Sequence, residues 1–152
     1  MYKRIMVPID GSETAERGLQ EAIGLASRLN ARLCLLNVTS DFPIMVEMAN
    51  TIDVEKYREG LHRFGVDLLA KAKAASAARD VEAETMITDL RGGRVSEAIV
   101  REAQVAKCEL IVIGTHGRRG LRRALLGSDA EAVVRTSTVP VLLVRDGGSD
   151  AN

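Results

Sequence analysis

Leu110-Ile111-Val112-Ile113-Gly114 is an unbroken apolar run closed by a glycine. A strand with one wet face alternates apolar and polar residues. A strand covered on both faces does not need to, so a short continuous run bounded by turn residues reads as a buried parallel strand. Three more runs have this character: Ile5-Met6-Val7, Leu33-Cys34-Leu35-Leu36-Asn37-Val38 and Val139-Pro140-Val141-Leu142-Leu143-Val144. A fifth, Val81-Glu82-Ala83-Glu84-Thr85-Met86-Ile87, alternates and reads as an edge strand with one wetter face. Helical spacing fills the gaps. Ala15, Leu19, Ala22, Ile23, Ala26 and Leu29 recur on one face, with Ser12 placed to cap the start. An Ala-, Lys- and Arg-rich stretch runs from Val54 to Arg79, and Val95, Ala98, Ile99, Ala103 and Ala106 mark a third helix. Ala130, Val133 and Val134 mark a fourth, opened by Ser128 and Glu131 at capping-box spacing. Strict β-α alternation predicts an α/β fold: an open five-stranded parallel sheet with right-handed crossovers and helices on both faces.

The chain has 152 residues, enough for one domain that buries roughly 70% of its unfolded surface. That domain is expected over residues 1–146, with Gly147 to Asn152 as a loose, flexible tail. With 21 basic against 21 acidic residues, no global field favours nucleic acid or a membrane. Two Phe, two Tyr and no Trp leave little surface for stacking bases. Cys34 and Cys108 lack CxxC spacing and read as small buried thiols suited to a reducing compartment. Met1-Tyr2-Lys3-Arg4 does not open a signal peptide, and no run approaches the ~20 apolar residues of a membrane span, so a cytoplasmic protein is expected.

In an open parallel sheet, ligands bind beyond the carboxyl ends of the strands where the strand order reverses. The first strand ends in Pro8-Ile9-Asp10-Gly11-Ser12 and the fourth in Gly114-Thr115-His116-Gly117. If these strands are neighbours, both ends face one crevice. Gly114 and Gly117 allow close backbone approach, and Gly127-Ser128 opens a helix whose free N–H groups and dipole favour an anion. Together they read as a phosphate-holding loop. Asp10 is the candidate ribose or metal ligand, and otherwise caps its own turn. His116 is either a phosphate donor or an inconsequential surface histidine, whereas His62 reads as a surface or packing residue. Arg118, Arg119, Arg122 and Arg123 read as a solvated face, with phosphate neutralisation or nucleic-acid contact as the alternatives. The segment from Thr39 to Asn50 is a long loop, either a lid or a packed turn.

Gly114, Gly117, Gly127 and Ser128 stand at the spacing G-x2-G-x9-G-[ST], and the chain thereby resembles the ATP-binding universal stress proteins. Ile5 to Ser12, Ile111 to Gly114 and Ser128 to Val144 are similar to that family's first turn, fourth strand and ending. The resemblance implies a Rossmann-like sheet, akin to the adenine nucleotide alpha hydrolases, in strand order 3-2-1-4-5. It implies ATP, or AMP or ADP, with Asp10 near ribose and phosphates through a divalent cation, Mg2+ or Mn2+. Val38 would offer backbone groups to adenine, with Pro8 and Ile9 lining that side. Gly114, Gly117, Gly127 and Ser128 would hold ribose and phosphates, and Asp129 would add a backbone N–H. Asp129 is an acid where many relatives carry a small or apolar residue, so its carboxylate opposes phosphate if it points inward. The resemblance also implies a homodimer through the last strand, Val141 to Val144, and a regulatory stress protein whose nucleotide state tunes conformation or partner binding.

The alternative is a slow ATP hydrolase or nucleotidyl-transfer enzyme. The sequence offers no GK[ST] and no evident base or nucleophile beside the loop. A receiver-like domain would need an acid beside Asp10 and a Lys after the last strand, where Arg145-Asp146 stands. The first turn lacks GxGxxG, which excludes a dinucleotide oxidoreductase.

Overall fold

Successive residues of β1 (Arg4–Pro8) point to opposite faces of the sheet, and both faces are dry. Ile5 and Val7 join one apolar cluster and Met6 the other. The same division runs through β2 (Arg32–Ser40) and β4 (Leu110–Gly114): Leu33, Leu35, Leu110 and Val112 on the first side, Cys34, Leu36, Ile111 and Ile113 on the second. This is why the three central strands read as continuous apolar runs. The computed structural model describes residues 1–40, 53–116 and 126–146. Of the loop expected from Thr39 to Asn50, Thr39 and Ser40 belong instead to β2, and the remainder, Gly117 with the arginine-rich segment, and the C-terminal tail lie outside the described residues.

The strands are parallel and ordered β3-β2-β1-β4-β5, with β3 spanning Ala83–Leu90 and β5 Val141–Val144. Helices α1 (Glu13–Leu29) and α2 (Val54–Ala77) cover the first face through Leu19, Ala22, Ile23 and Ala26, and through Leu69 and Ala72. Helices α3 (Val95–Val105) and α4 (Ser128–Thr136) cover the second through Ile99 and Ala103, and through Ala130 and Val133. Full burial of a residue such as Leu35 contributes about 1.5–3 kcal/mol.

Local chemistry sets the element ends. The Ser12 hydroxyl accepts from Ala15 N at 3.2 Å, and α1 stops at Asn30 in the left-handed conformation, its N–H returning to Ala26 O. The strand expected from Val139 begins at Val141, because Pro140 has no N–H and contributes its carbonyl to Ile111 N at 3.0 Å. The alternating strand begins two residues later than its pattern suggested and ends three residues later, at Leu90.

The capping box expected from Ser128 and Glu131 does not form. Gly127 is the N-cap, in extended conformation, and its carbonyl accepts from Glu131 N at 2.9 Å. Counting from Gly127, the third helical position is Ala130, so Glu131 falls outside the box and pairs with Arg135 at 2.7 Å instead.

Candidate functional site

The switch point lies at β1, which has β2 on one side and β4 on the other. Beyond its carboxyl end the chain is held by main-chain and side-chain bonds on both sides. Ile9 N donates to Leu36 O at 2.7 Å, and Asn37 Nδ2 donates to Ile9 O at 2.8 Å. With both backbone groups engaged and its side chain buried in the α1–α2 cluster, Ile9 fixes the turn. Next in the chain, Asp10 Oδ1 accepts from Ser12 N at 2.9 Å, closing an Asx turn at the strand end.

Three connections draw the end of β4 and the start of α4 against this turn. The Thr14 hydroxyl, in the first turn of α1, donates to the carbonyl of His116. Thr115 N donates to Val144 O at 3.0 Å, and Gly127 N donates to Thr115 O at 2.6 Å. The glycines make these approaches possible. A Cβ on Gly114 would stand 2.7 Å from both the backbone carbon and oxygen of Thr14, and one on Gly127 would stand 2.8 Å from Thr115 O. Gly127 has φ of −60°, so it is required for contact and not for a left-handed turn. Both glycines therefore serve the protein's own close packing at the very place where the sequence suggests ligand contact.

Asp10, Gly114, His116, Gly127, Ser128 and Asp129 are thus gathered at one end of the sheet. Pro8 lies one step below Ile9, and its register partner is Leu36, so Val38 stands two residues further along β2 on the same edge. Gly117 lies outside the described residues. His116 is half-buried; its Nδ1 is 3.0 Å from Thr115 Oγ1, while Nε2 is buried without a hydrogen-bond partner among the described residues. Ser128 and Asp129 are exposed in the first turn of α4, where free N–H groups point outward. The Asp129 carboxyl is pushed above the usual carboxylate range, by desolvation first and by the Asp10 carboxylate second. The two carboxylates therefore repel each other across the crevice mouth.

Sequence reading missed Thr14, Thr115 and Asn37, all buried and polar. Asn37 left a signal, a lone amide inside an apolar strand. Thr14 and Thr115 left none, because their value depends on tertiary contacts.

The chain as a whole has relatives among known proteins. Universal stress protein YxiE of Bacillus subtilis is 30% identical over 95% of this chain and all of its own length. Universal stress protein MJ0531 of Methanocaldococcus jannaschii is 33% identical over 95% of this chain and 83% of its own. The solved structure of the protein MJ0577 superposes with a TM-score of 0.84 at 29% identity, covering 98% of this chain and 99% of that one. Two more distant structures share the fold: the Archaeoglobus fulgidus universal stress protein in complex with dAMP (23% identical, TM-score 0.65, covering 94% and 98% of the two chains), and an Arabidopsis thaliana family member with AMP bound (17%, 0.67, 99% and 96%). The model of the universal stress protein family matches residues 1–145. With that match and relatives of this identity along nearly its whole length, the chain belongs to the universal stress protein family.

Proposed function

We propose that this protein binds an adenine nucleotide, ATP in the first place with AMP and ADP as competitors, in the crevice beyond β1 and β4, and that the bound state tunes its conformation or its partners. The observation that carries this reading is the convergence at the strand-order switch of the Asp10 turn, the His116 strand end and the first turn of α4, which has no side-chain cap among the described residues. Such a meeting of a helix N-terminus with a strand end is a ready anion site. The dAMP and AMP complexes of distant proteins with the same fold support the choice of ligand.

In this reading Gly114, Gly117, Gly127 and Ser128, with the backbone N–H of Asp129, hold ribose and phosphates. Nε2 of His116, which has no partner among the described residues, is a donor suited to a phosphate oxygen when Nδ1 accepts from the Thr115 hydroxyl. Val38 offers backbone groups to adenine, with Pro8 and the Ile9 turn beneath. Asp10 meets a divalent cation, Mg2+ or Mn2+. The donor set fits a cation held mostly by phosphate and water: no group of three or more His, Cys, Asp or Glu that could hold a metal exists among the described residues. When bound, the cation neutralises phosphate charge beside Asp10 and Asp129. Homodimerisation through β5 belongs to the same reading, since this edge strand shows the half-exposed Leu142 to solvent.

The test is nucleotide carried through purification, followed by ATP affinity and turnover for the wild type and Gly117→Val. Bound ATP or AMP is expected in the wild type and lost in the variant, with turnover far below ~1 s⁻¹, the low end of ordinary enzymes. Wild-type protein without nucleotide by either route removes the proposal. Fast turnover replaces it with the hydrolase alternative.

A further inference from the structure

Where β2 runs past the end of β1, an apolar strand carries one buried amide. Asn37 stands between Leu36 and Val38, and its side chain lies against Gly65 of α2. Its Nδ2 donates to the carbonyl of Ile9 at 2.8 Å. A carbonyl only accepts, so this contact fixes which way the amide is turned. Oδ1 is then left buried, with no hydrogen-bond partner among the described residues. The helix above makes room for the amide. A Cβ on Gly65 would collide with Asn37 Oδ1 and stand 2.9 Å from Asn37 Cγ. Gly65 lies in the middle of α2 without a positive φ, so space and not conformation requires it. A glycine in mid-helix and an unpaired amide oxygen both weaken a fold. Both are kept here, around one donor on the Ile9 carbonyl.

The register shows what that donor replaces. β1 and β2 are parallel, with Pro8 opposite Leu36. Arg32 N donates to Lys3 O, and Leu36 O accepts from Ile9 N, so the even-numbered residues of β2 turn their main-chain groups to β1. Leu33 N donates to Glu82 O, so the odd-numbered ones turn theirs to β3. In a parallel ladder, the bond that follows Ile9 N to Leu36 O runs from Val38 N to Ile9 O. That bond is not made, and among the described residues no main-chain bond joins Val38 to the turn after β1. The Asn37 amide holds the acceptor in its place. The N–H and C=O of Val38 therefore face the space beyond the end of β1, where the chain turns away at Asp10.

We propose that Asn37 is a positioning residue for the crevice. Its side chain stands in for the Val38 N–H in the ladder, and so keeps the main-chain donor and acceptor of Val38 open for the hydrogen-bonding edge of a nucleotide base. This rests on the nucleotide reading above and deepens it. An apolar residue at position 37 leaves the Ile9 carbonyl without its donor. The Val38 N–H is the main-chain donor next in register, so it closes onto that carbonyl and is lost to the base. Gly65 supports the same arrangement from α2, as the seat of the amide.

The test is amide hydrogen exchange by NMR on the nucleotide-free full chain, with and without added ATP, for the wild type, Asn37→Val and Gly65→Ala. In the wild type the Val38 amide is expected to exchange roughly a hundredfold faster than that of Leu36 inside the ladder, and to slow when ATP is added. In Asn37→Val it is expected to be slow without ATP. ATP affinity then falls about tenfold, the worth of one hydrogen bond, while the urea midpoint does not drop. Gly65→Ala, which displaces the amide from above, is expected to move exchange and affinity in the same directions. A Val38 amide as protected as that of Leu36 in nucleotide-free wild type overturns the proposal, and this measurement needs no variant to fold. So does an Asn37→Val protein that loses affinity with Val38 exchange unchanged, since Asn37 is then only structural. Wild-type protein that binds no ATP overturns the nucleotide reading instead, and the exchange rates still decide whether Asn37 holds the Val38 edge open.

Discussion

Replacing Gly114 by alanine separates the role of this glycine in the fold from any role toward a ligand. The added Cβ would lie 2.7 Å from the backbone carbon and oxygen of Thr14 and 2.9 Å from its Cβ. None of these atoms can swing away as the end of a flexible side chain can, so α1 must move from β4. Overpacking of this kind costs about 1–3 kcal/mol. The shift also stretches the bond from the Thr14 hydroxyl to the His116 carbonyl, worth about 1 kcal/mol. The expected loss is then about 2–4 kcal/mol, or roughly 5–15 °C in Tm for a chain of this size. Gly24, on α1 with nothing within 4 Å of an added Cβ, is the internal control, and Gly24→Ala is expected to gain about 0.5–1 kcal/mol. The assay is urea unfolding of nucleotide-free protein followed by circular dichroism. If Gly114→Ala unfolds at the wild-type midpoint and loses only nucleotide affinity, the packing argument is wrong and the glycine is there for the ligand alone.

Asp129→Asn is expected to tighten ATP binding by about fivefold, the effect of removing about 1 kcal/mol of repulsion near a surface, and the gain should shrink in high salt. Because the Asp129 carboxyl is raised by desolvation and by Asp10, its charge costs stability above its folded pKa and the cost fades as pH falls through it. Calorimetric titrations at descending pH should therefore show wild type converging on the variant; divergence would contradict the repulsion between the two acids. Glu84 behaves oppositely. The hydrogen bond from Cys34 first, and the Arg4 charge after it, hold its carboxyl below the usual range. Its contribution is complete above the unfolded pKa and is lost as pH falls through the lower folded value. Glu84→Gln should flatten the acid limb of urea midpoints below the ordinary carboxylate range, and unchanged pH dependence would refute the role of the Cys34 and Arg4 contacts.

The sheet was legible because burial on both faces removes the need for polar alternation, and five short runs separated by helical periods admit few topologies. Strand order is not written in those runs. It came from resemblance, and the pairing of Ile5 with Leu110 and of Ile111 with Val141 bears it out. Element ends were legible where one residue decides them, as at Ser12, and illegible where two candidates compete. Ser128 has the better capping side chain, yet Gly127 takes the cap, because only a residue without Cβ can stand against Thr115 O.

The same competition explains the limit of the motif. A glycine pattern at a strand end reports that something approaches the backbone closely, and sequence alone assigns that approach to a ligand. At Gly114 and Gly127 the approaching atoms belong to Thr14 and Thr115. These contacts hold the Asp10 turn, the His116 strand end and the first turn of α4 in one place before any ligand arrives. A site held in this way loses little further freedom on binding, so much of the affinity is set by the fold itself. Substitutions at Gly114 and Gly127 should accordingly weaken the apo protein and the complex together, while changes at Asp129, an exposed first-turn residue, should act on the ligand more than on the fold.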